Sequence, residues 1–145
     1  MLRRNLLWVL TSLLILAPGA FAEPPTIETV GKLKETGIRH VTVTEAQSLV
    51  AAHPEIVVLD VRTGREFNGG HLEGAVNMNY FSLNIGKNVD QLDKDKTYLL
   101  YCRSGNRSGK AAPALKKAGI ESVIHMDGGT KAWSQAGLPL VKDED

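Results

Sequence analysis

Three short apolar runs set the strongest limit on how this 145-residue chain can fold. Residues 56–59 read Ile-Val-Val-Leu, residues 97–101 Thr-Tyr-Leu-Leu-Tyr and residues 123–126 Val-Ile-His-Met. Runs that leave almost no polar face for water are the pattern of strands covered on both sides. Between them lie segments of helical period. Residues 45–52 place Ala46, Leu49, Val50 and Ala52 on one face, with Thr44 as the expected N-cap. Residues 108–118 and 130–136 read as two further helices, and Gly119 stands where a C-terminal helix glycine belongs. Residues 40–43 add a strand and residues 75–78 a weaker one. Strands and helices alternating in this way predict an α/β fold, a mainly parallel sheet of about five strands with helices on both faces. Pro113 conflicts with the helix over 108–118. It lacks an N–H and crowds the Gly109 carbonyl, at about 3 kcal/mol in a helix interior, so that helix is expected to start after Ser108 or to kink.

The ends of the chain read differently from its middle. Arg3 and Arg4 precede an apolar stretch over residues 6–17, then Pro18-Gly19 and the small-residue pattern Ala20-Phe21-Ala22. That is the form of a cleaved signal peptide over residues 1–22, with Glu23 as the first mature residue. A retained anchor is the rival, but the stretch falls short of the about 20 apolar residues that span a bilayer. Export points to the bacterial periplasm, with no stable membrane association after cleavage. Residues 23–37 read as a polar N-terminal extension with a short helix over 26–35, residues 38–140 as the domain, and residues 141–145 as a tail. The chain has 17 Lys and Arg against 16 Asp and Glu. Without Arg3 and Arg4 the balance is −1, and no basic stripe supports a nucleic-acid partner.

Cysteine usage narrows the chemistry. Cys102 is the only cysteine, so it can close neither an internal disulfide nor a Cys-x-x-Cys pair. A buried, inert thiol is the usual fate of such a residue. Its neighbours argue otherwise. Cys102 follows the apolar run 97–101 and opens the loop Cys102-Arg103-Ser104-Gly105-Asn106-Arg107, with a helix after it. Ligands of open α/β sheets bind beyond the carboxyl ends of strands. Gly105 permits unusual backbone angles, Asn106 tolerates them, and Ser104 adds a hydroxyl. Amides and a helix N-terminus converging on the sulfur, with Arg103 and Arg107 close by, lower a thiol's pKa and yield a nucleophilic thiolate.

Asp60-Val61-Arg62, Glu66-Phe67 and Gly70-His71-Leu72-Glu73-Gly74-Ala75-Val76-Asn77 together resemble the N-terminal signature of rhodanese domains. Cys102 to Ser108 resembles their active-site loop, and Asp127-Gly128-Gly129-Thr130-Lys131-Ala132-Trp133 their C-terminal signature. The resemblance covers roughly residues 38 to 140 and implies a five-stranded parallel sheet flanked by helices. It also implies a thiosulfate sulfurtransferase cycle. The Cys102 thiolate takes the outer sulfur of a donor such as thiosulfate, releases sulfite, and passes the sulfur to a thiol or to cyanide. Arg103, Ser104, Gly105, Asn106 and Arg107 then form the cradle, the two arginines binding the sulfonate end of the donor. No cofactor is required.

Several residues have structural readings beside the functional one. Arg62 and Glu66 are expected to pair with each other and hold the loop after the second strand, and Asp60 to bond loop backbone. His71 is expected to shape a turn rather than act as a base. His40, His53 and His125 show no spacing that suggests a metal site. Gly128-Gly129 reads as a tight bend and Trp133 as a core anchor. A cysteine-dependent phosphatase is the nearest enzymatic rival, but its loop has five residues between Cys and Arg, and here Arg107 follows after four. A carrier that receives sulfur from a protein partner is the alternative from another class.

Overall fold

The structure, a computed structural model, describes residues 23–143. The expected signal segment over residues 1–22 lies outside the described residues. Six strands form one sheet: β1 (Lys32–Leu33), β2 (Ile38–Val41), β3 (Val57–Asp60), β4 (Val76–Asn77), β5 (Tyr98–Tyr101) and β6 (Val123–Met126), in the order β1-β2-β6-β5-β3-β4. All pairings are parallel except β1 with β2. The five expected strands are the parallel ones. The sixth, β1, comes from the segment expected to be helical: residues 27–29 form a turn and Lys32–Leu33 pairs with Arg39 and His40.

Every residue of β5 and β6 is buried, as their unbroken apolar runs require. Their two faces feed two cores. Leu100, Val123 and Ile38 pack with Ala111, Ala112 and Leu115 of α4 (Asn106–Lys117). Leu99, Tyr101, Ile124 and Met126 pack with Leu49 of α1 (Val43–Ala52) and Trp133 of α5 (Gly129–Gln135). Helices therefore lie on both faces. No described helix is long and apolar enough to cross a membrane.

Two short helices, α2 (Gly64–Asn68) and α3 (Ile85–Asp90), lie where the sequence predicts no helix. The signal for α2 was present: Thr63-Gly64-Arg65-Glu66 has the T-x-x-E form of a capping box, in which the Thr63 hydroxyl accepts from the Glu66 amide and the Glu66 carboxylate accepts from the Thr63 amide. The same motif corrects the N-cap of α1. Thr42, not Thr44, is three residues before Glu45 and closes the box.

Helix α4 starts at Asn106, two residues before the expected start, and runs on through Pro113. Its N-cap Gly105 has φ +91°, a left-handed conformation in which a side chain is strained. At the other edge Val141 pairs with His71 through both backbone bonds, at 2.8 and 2.9 Å. The domain therefore uses residues on both sides of its expected limits.

Candidate active site

Cys102 lies just past the C-terminal end of β5, where the backbone leaves the sheet and turns through Arg103 and Ser104 into α4. The thiol is 1% exposed. The Gly105 amide donates to Sγ at 3.1 Å, and the Ser108 hydroxyl, one turn into α4, approaches Sγ at 3.5 Å. Burial alone raises the thiol pKa. The Ser108 hydroxyl and the amides of Ser108, Ser104 and Gly105 outweigh that effect and hold it below its ordinary value. The sulfur therefore sits in a ring of donors suited to negative charge, on a helix N-terminus of the matching sign.

The loop is held from below by the bend before α5. Thr130 and Lys131 donate their amides to the carbonyls of Cys102 and Arg103, each at 2.9 Å. Gly129 has φ +57°, and a Cβ there would stand 2.2 Å from the Cys102 carbonyl oxygen. Gly128-Gly129 is thus the expected bend, and it also allows the backbone of α5 to touch the nucleophile's own backbone. Sequence reasoning missed that second task, which only the juxtaposition of β5 and β6 reveals. Trp133 is buried and donates from Nε1 to the Pro139 carbonyl at 2.8 Å, as befits a core anchor.

The arginines divide differently from expectation. Arg103 is exposed and makes no side-chain hydrogen bond or ion pair among the described residues. Arg107 presents both guanidinium nitrogens to Glu66, at 2.7 Å each, and stands over the Phe81 ring at 5.7 Å from its centroid. The expected Arg62–Glu66 pair does not form. Arg62 is buried against Asp60, which accepts from its Nε at 2.9 Å and from its amide at 2.9 Å, and Arg62 also donates to the Gly70 carbonyl at 2.7 Å. The reason is reach: the capping box turns Glu66 towards α4, while the turn after β3 folds Arg62 back over Asp60. Asp60 and Arg62 therefore brace the loop 62–70. Ser104 and Asn106 are exposed, and of the loop residues only Gly105 takes a left-handed angle.

An open depression of about 460 Å³ borders this site and is lined by Arg62, Arg65, Glu66, Arg103, Thr130 and Leu140, among others. Arg65 and Arg103 are its exposed cations. Arg65 was not singled out from the sequence; it lies in the loop-like segment whose capping box went unread.

His71 is 2% exposed, bonds the Phe67 carbonyl through Nδ1 at 3.0 Å and stacks on the Phe67 ring at 3.8 Å. It shapes the turn, as expected. His53 stays apart, bonded to Glu55 and the Pro25 carbonyl, but His40 and His125 come together. Register pairs His40 of β2 with His125 of β6, and Asp127 follows two residues on, so their side chains meet although their spacing in the chain gave no sign of it.

Comparison with known proteins settles the family. The rhodanese-like domain matches residues 42–136. The chain belongs to that family. A thiosulfate sulfurtransferase of Shewanella oneidensis is 32% identical over 101 residues, 70% of this chain and 97% of that protein. An uncharacterized protein of Synechocystis is 43% identical over 90 residues, 62% of this chain, and the chain spans only 49% of it. Among solved structures, the rhodanese-like domain protein of Staphylococcus aureus superposes with a TM-score of 0.63 at 26% identity, over 72% of this chain and 98% of that one. This rhodanese-like domain thus combines the family's sheet with an intact cysteine in a donor-lined loop.

Proposed function

We propose that this chain is a sulfurtransferase that carries sulfane sulfur on Cys102. The observation that carries the reading is the ring of donors around Sγ, led by the Gly105 amide at 3.1 Å. A thiolate held there attacks the outer sulfur of thiosulfate. A new S–S bond forms, the donor's own S–S bond breaks, and sulfite leaves with the bonding electron pair. An acceptor thiolate, or cyanide, then attacks the terminal sulfur of the persulfide and returns the Cys102 thiolate. In both steps the negative charge resides on sulfur, where the loop amides stabilise it without reorganising. Arg103 and Arg65, both exposed at the rim, supply the positive charge that draws a sulfonate towards the loop. A donor titration followed by intact mass tests the cycle: one sulfur gained per chain from thiosulfate and lost to cyanide supports it, and an unchanged mass refutes it.

A protein acceptor is the second reading, favoured by Phe81, which is 65% exposed yet stands directly over Arg107 at the site. Faster discharge of the persulfide by a protein thiol than by a small thiol, abolished in Phe81→Ala, supports it. The phosphatase reading is weaker, because a loop with four residues between Cys102 and Arg107 leaves less room for three phosphoryl oxygens than for one sulfur. The signal-like pattern of residues 1–22 supports the further reading that the protein is exported. N-terminal sequencing of the exported form is expected to start at Glu23.

A further inference from the structure

The cluster of His40, His125 and Asp127 supplies no reacting group to the sulfur-transfer cycle. We propose that it is a binding site for a divalent first-row transition cation of the zinc and cobalt class. The proposal is independent of the sulfurtransferase reading.

The sheet builds the cluster. β2 and β6 run parallel with His40 directly opposite His125, and Asp127, two residues beyond His125, returns to the same side because side chains alternate along a strand. His40 Nδ1 lies 2.9 Å from Asp127 Oδ1, His125 Nδ1 lies 3.0 Å from the same oxygen, and the two Nδ1 atoms are 3.3 Å apart. Metal bonds of about 2.0–2.2 Å opened by about 90–110° hold ligand atoms about 2.9–3.5 Å apart. The triangle already has the edges of one face of a coordination sphere.

Counting protons favours a cation over a set of ordinary hydrogen bonds. His125 Nε2 faces the Gly105 carbonyl at 3.1 Å, which can only accept, and the Ser108 hydroxyl at 2.9 Å. Nε2 therefore carries the hydrogen. A neutral imidazole has only this one N–H to place. Its Nδ1 is then a lone pair, aimed at a carboxylate oxygen and at another imidazole nitrogen. His40 Nδ1 brings at most one hydrogen to the two acceptors it faces, Asp127 Oδ1 and His125 Nδ1, and the His125–Asp127 contact is left with none. A cation seated over this triangular face resolves all three contacts. The carbonyl that holds the far nitrogen of His125 is the kind of outer partner that fixes metal-ligating histidines.

Access and ligand chemistry fit as well. An open depression of about 370 Å³ reaches His40 and Asp127 past Gly31, Thr42 and Glu45, leaving room for water to complete the sphere. Lys32 and Lys34 border it too and are exposed, so affinity has to come from coordination rather than from the local field. Two imidazoles and one carboxylate suit zinc, cobalt, nickel or copper, not magnesium or calcium, which favour oxygen alone. A bound cation would join β2 to β6 and lock His125 onto the Gly105 carbonyl at the start of α4.

The test uses untagged, chelator-treated Cys102→Ser protein, so that the thiolate offers no competing site. Titration with Co²⁺ is followed by its visible absorption, and titration with Zn²⁺ by calorimetry and by Tm. The expected result is one cation per chain, a rise in Tm, and loss of binding by at least tenfold in both His40→Ala and Asp127→Asn. Sulfur loading of Cys102 in His40→Ala, with the cysteine intact, is expected to stay at the wild-type level. Absence of the cobalt absorption and of the zinc heat in the parent protein shows a proton-only cluster and overturns the proposal. So does one-to-one binding that persists in His40→Ala, which assigns the cation to other groups such as His53 and Glu55.

Discussion

Arg107 and Glu66, 41 residues apart in the chain, meet in a two-pronged ion pair with both contacts at 2.7 Å. The pair ties the first turn of α4, just after the Cys102 loop, to α2 on the far side of the site. Glu66 is also the third residue of α2 and closes its capping box with Thr63. One carboxylate thus orders two elements, and the Arg107 guanidinium beside it pulls its pKa down to about 2.

Glu66→Gln is therefore expected to destabilise the fold at neutral pH by about 1 kcal/mol, the upper end for a pair still partly open to solvent. The sign of the pH dependence follows from the depressed pKa. The unfolded carboxyl titrates near about 4.3, so the pair's contribution is complete above that value and fades as pH falls towards about 2. The gap in urea midpoint between wild type and variant should shrink from pH 6 to pH 2.5. A constant gap would show that the charge of Glu66 contributes nothing.

Arg103 and Arg107 should separate in kinetics and stability. Arg103 is exposed and unpaired among the described residues, so Arg103→Ala is expected to keep its Tm and lose about tenfold in kcat/KM for thiosulfate, the worth of one charge-assisted contact. Arg107→Ala should lower Tm as well, because it strands Glu66. Equal loss of Tm in both variants would contradict this division.

Ser108→Ala removes the hydroxyl that approaches Sγ and leaves the loop amides in place. The Cys102 thiol pKa, measured from the pH dependence of alkylation rate, is expected to rise by about one unit, the worth of one hydrogen bond to a charged acceptor. No rise would assign the whole depression to backbone amides.

Two glycines make a matched stability test. Gly129 and Gly137 both have positive φ, +57° and +74°, but a Cβ at Gly137 meets nothing within 4 Å. Gly137→Ala should cost only the conformational strain, about 1–2 kcal/mol. Gly129→Ala should cost distinctly more and displace the Cys102 carbonyl, with loss of sulfur transfer. Similar denaturation midpoints for the two would show that α5 does not press on the loop.

The parallel core was readable because β3, β5 and β6 are unbroken apolar runs, and the loop at Cys102 because a lone thiol after such a run is unusual. What escaped notice depends on contacts distant in sequence. Glu66 pairs with Arg107 rather than Arg62 because α2 exists, and α2 is too short to show a periodic pattern; only Thr63 and Glu66 announce it. His40 and His125 meet through strand register, which spacing along the chain does not encode. The strand Lys32–Leu33 is two residues long at the sheet edge, exposed at both positions, with nothing in its composition to tell it from a turn. Asn106 begins α4 because Gly105 takes a left-handed angle, and glycine at that position was legible only as permission to bend.

The central claim, that Cys102 carries sulfur, is tested most directly by intact mass of the mature protein after thiosulfate and then cyanide. The account predicts a gain of one sulfur atom per chain with thiosulfate, its removal by cyanide, and no change at either step in Cys102→Ser. An unchanged wild-type mass, or the same gain in Cys102→Ser, would contradict it.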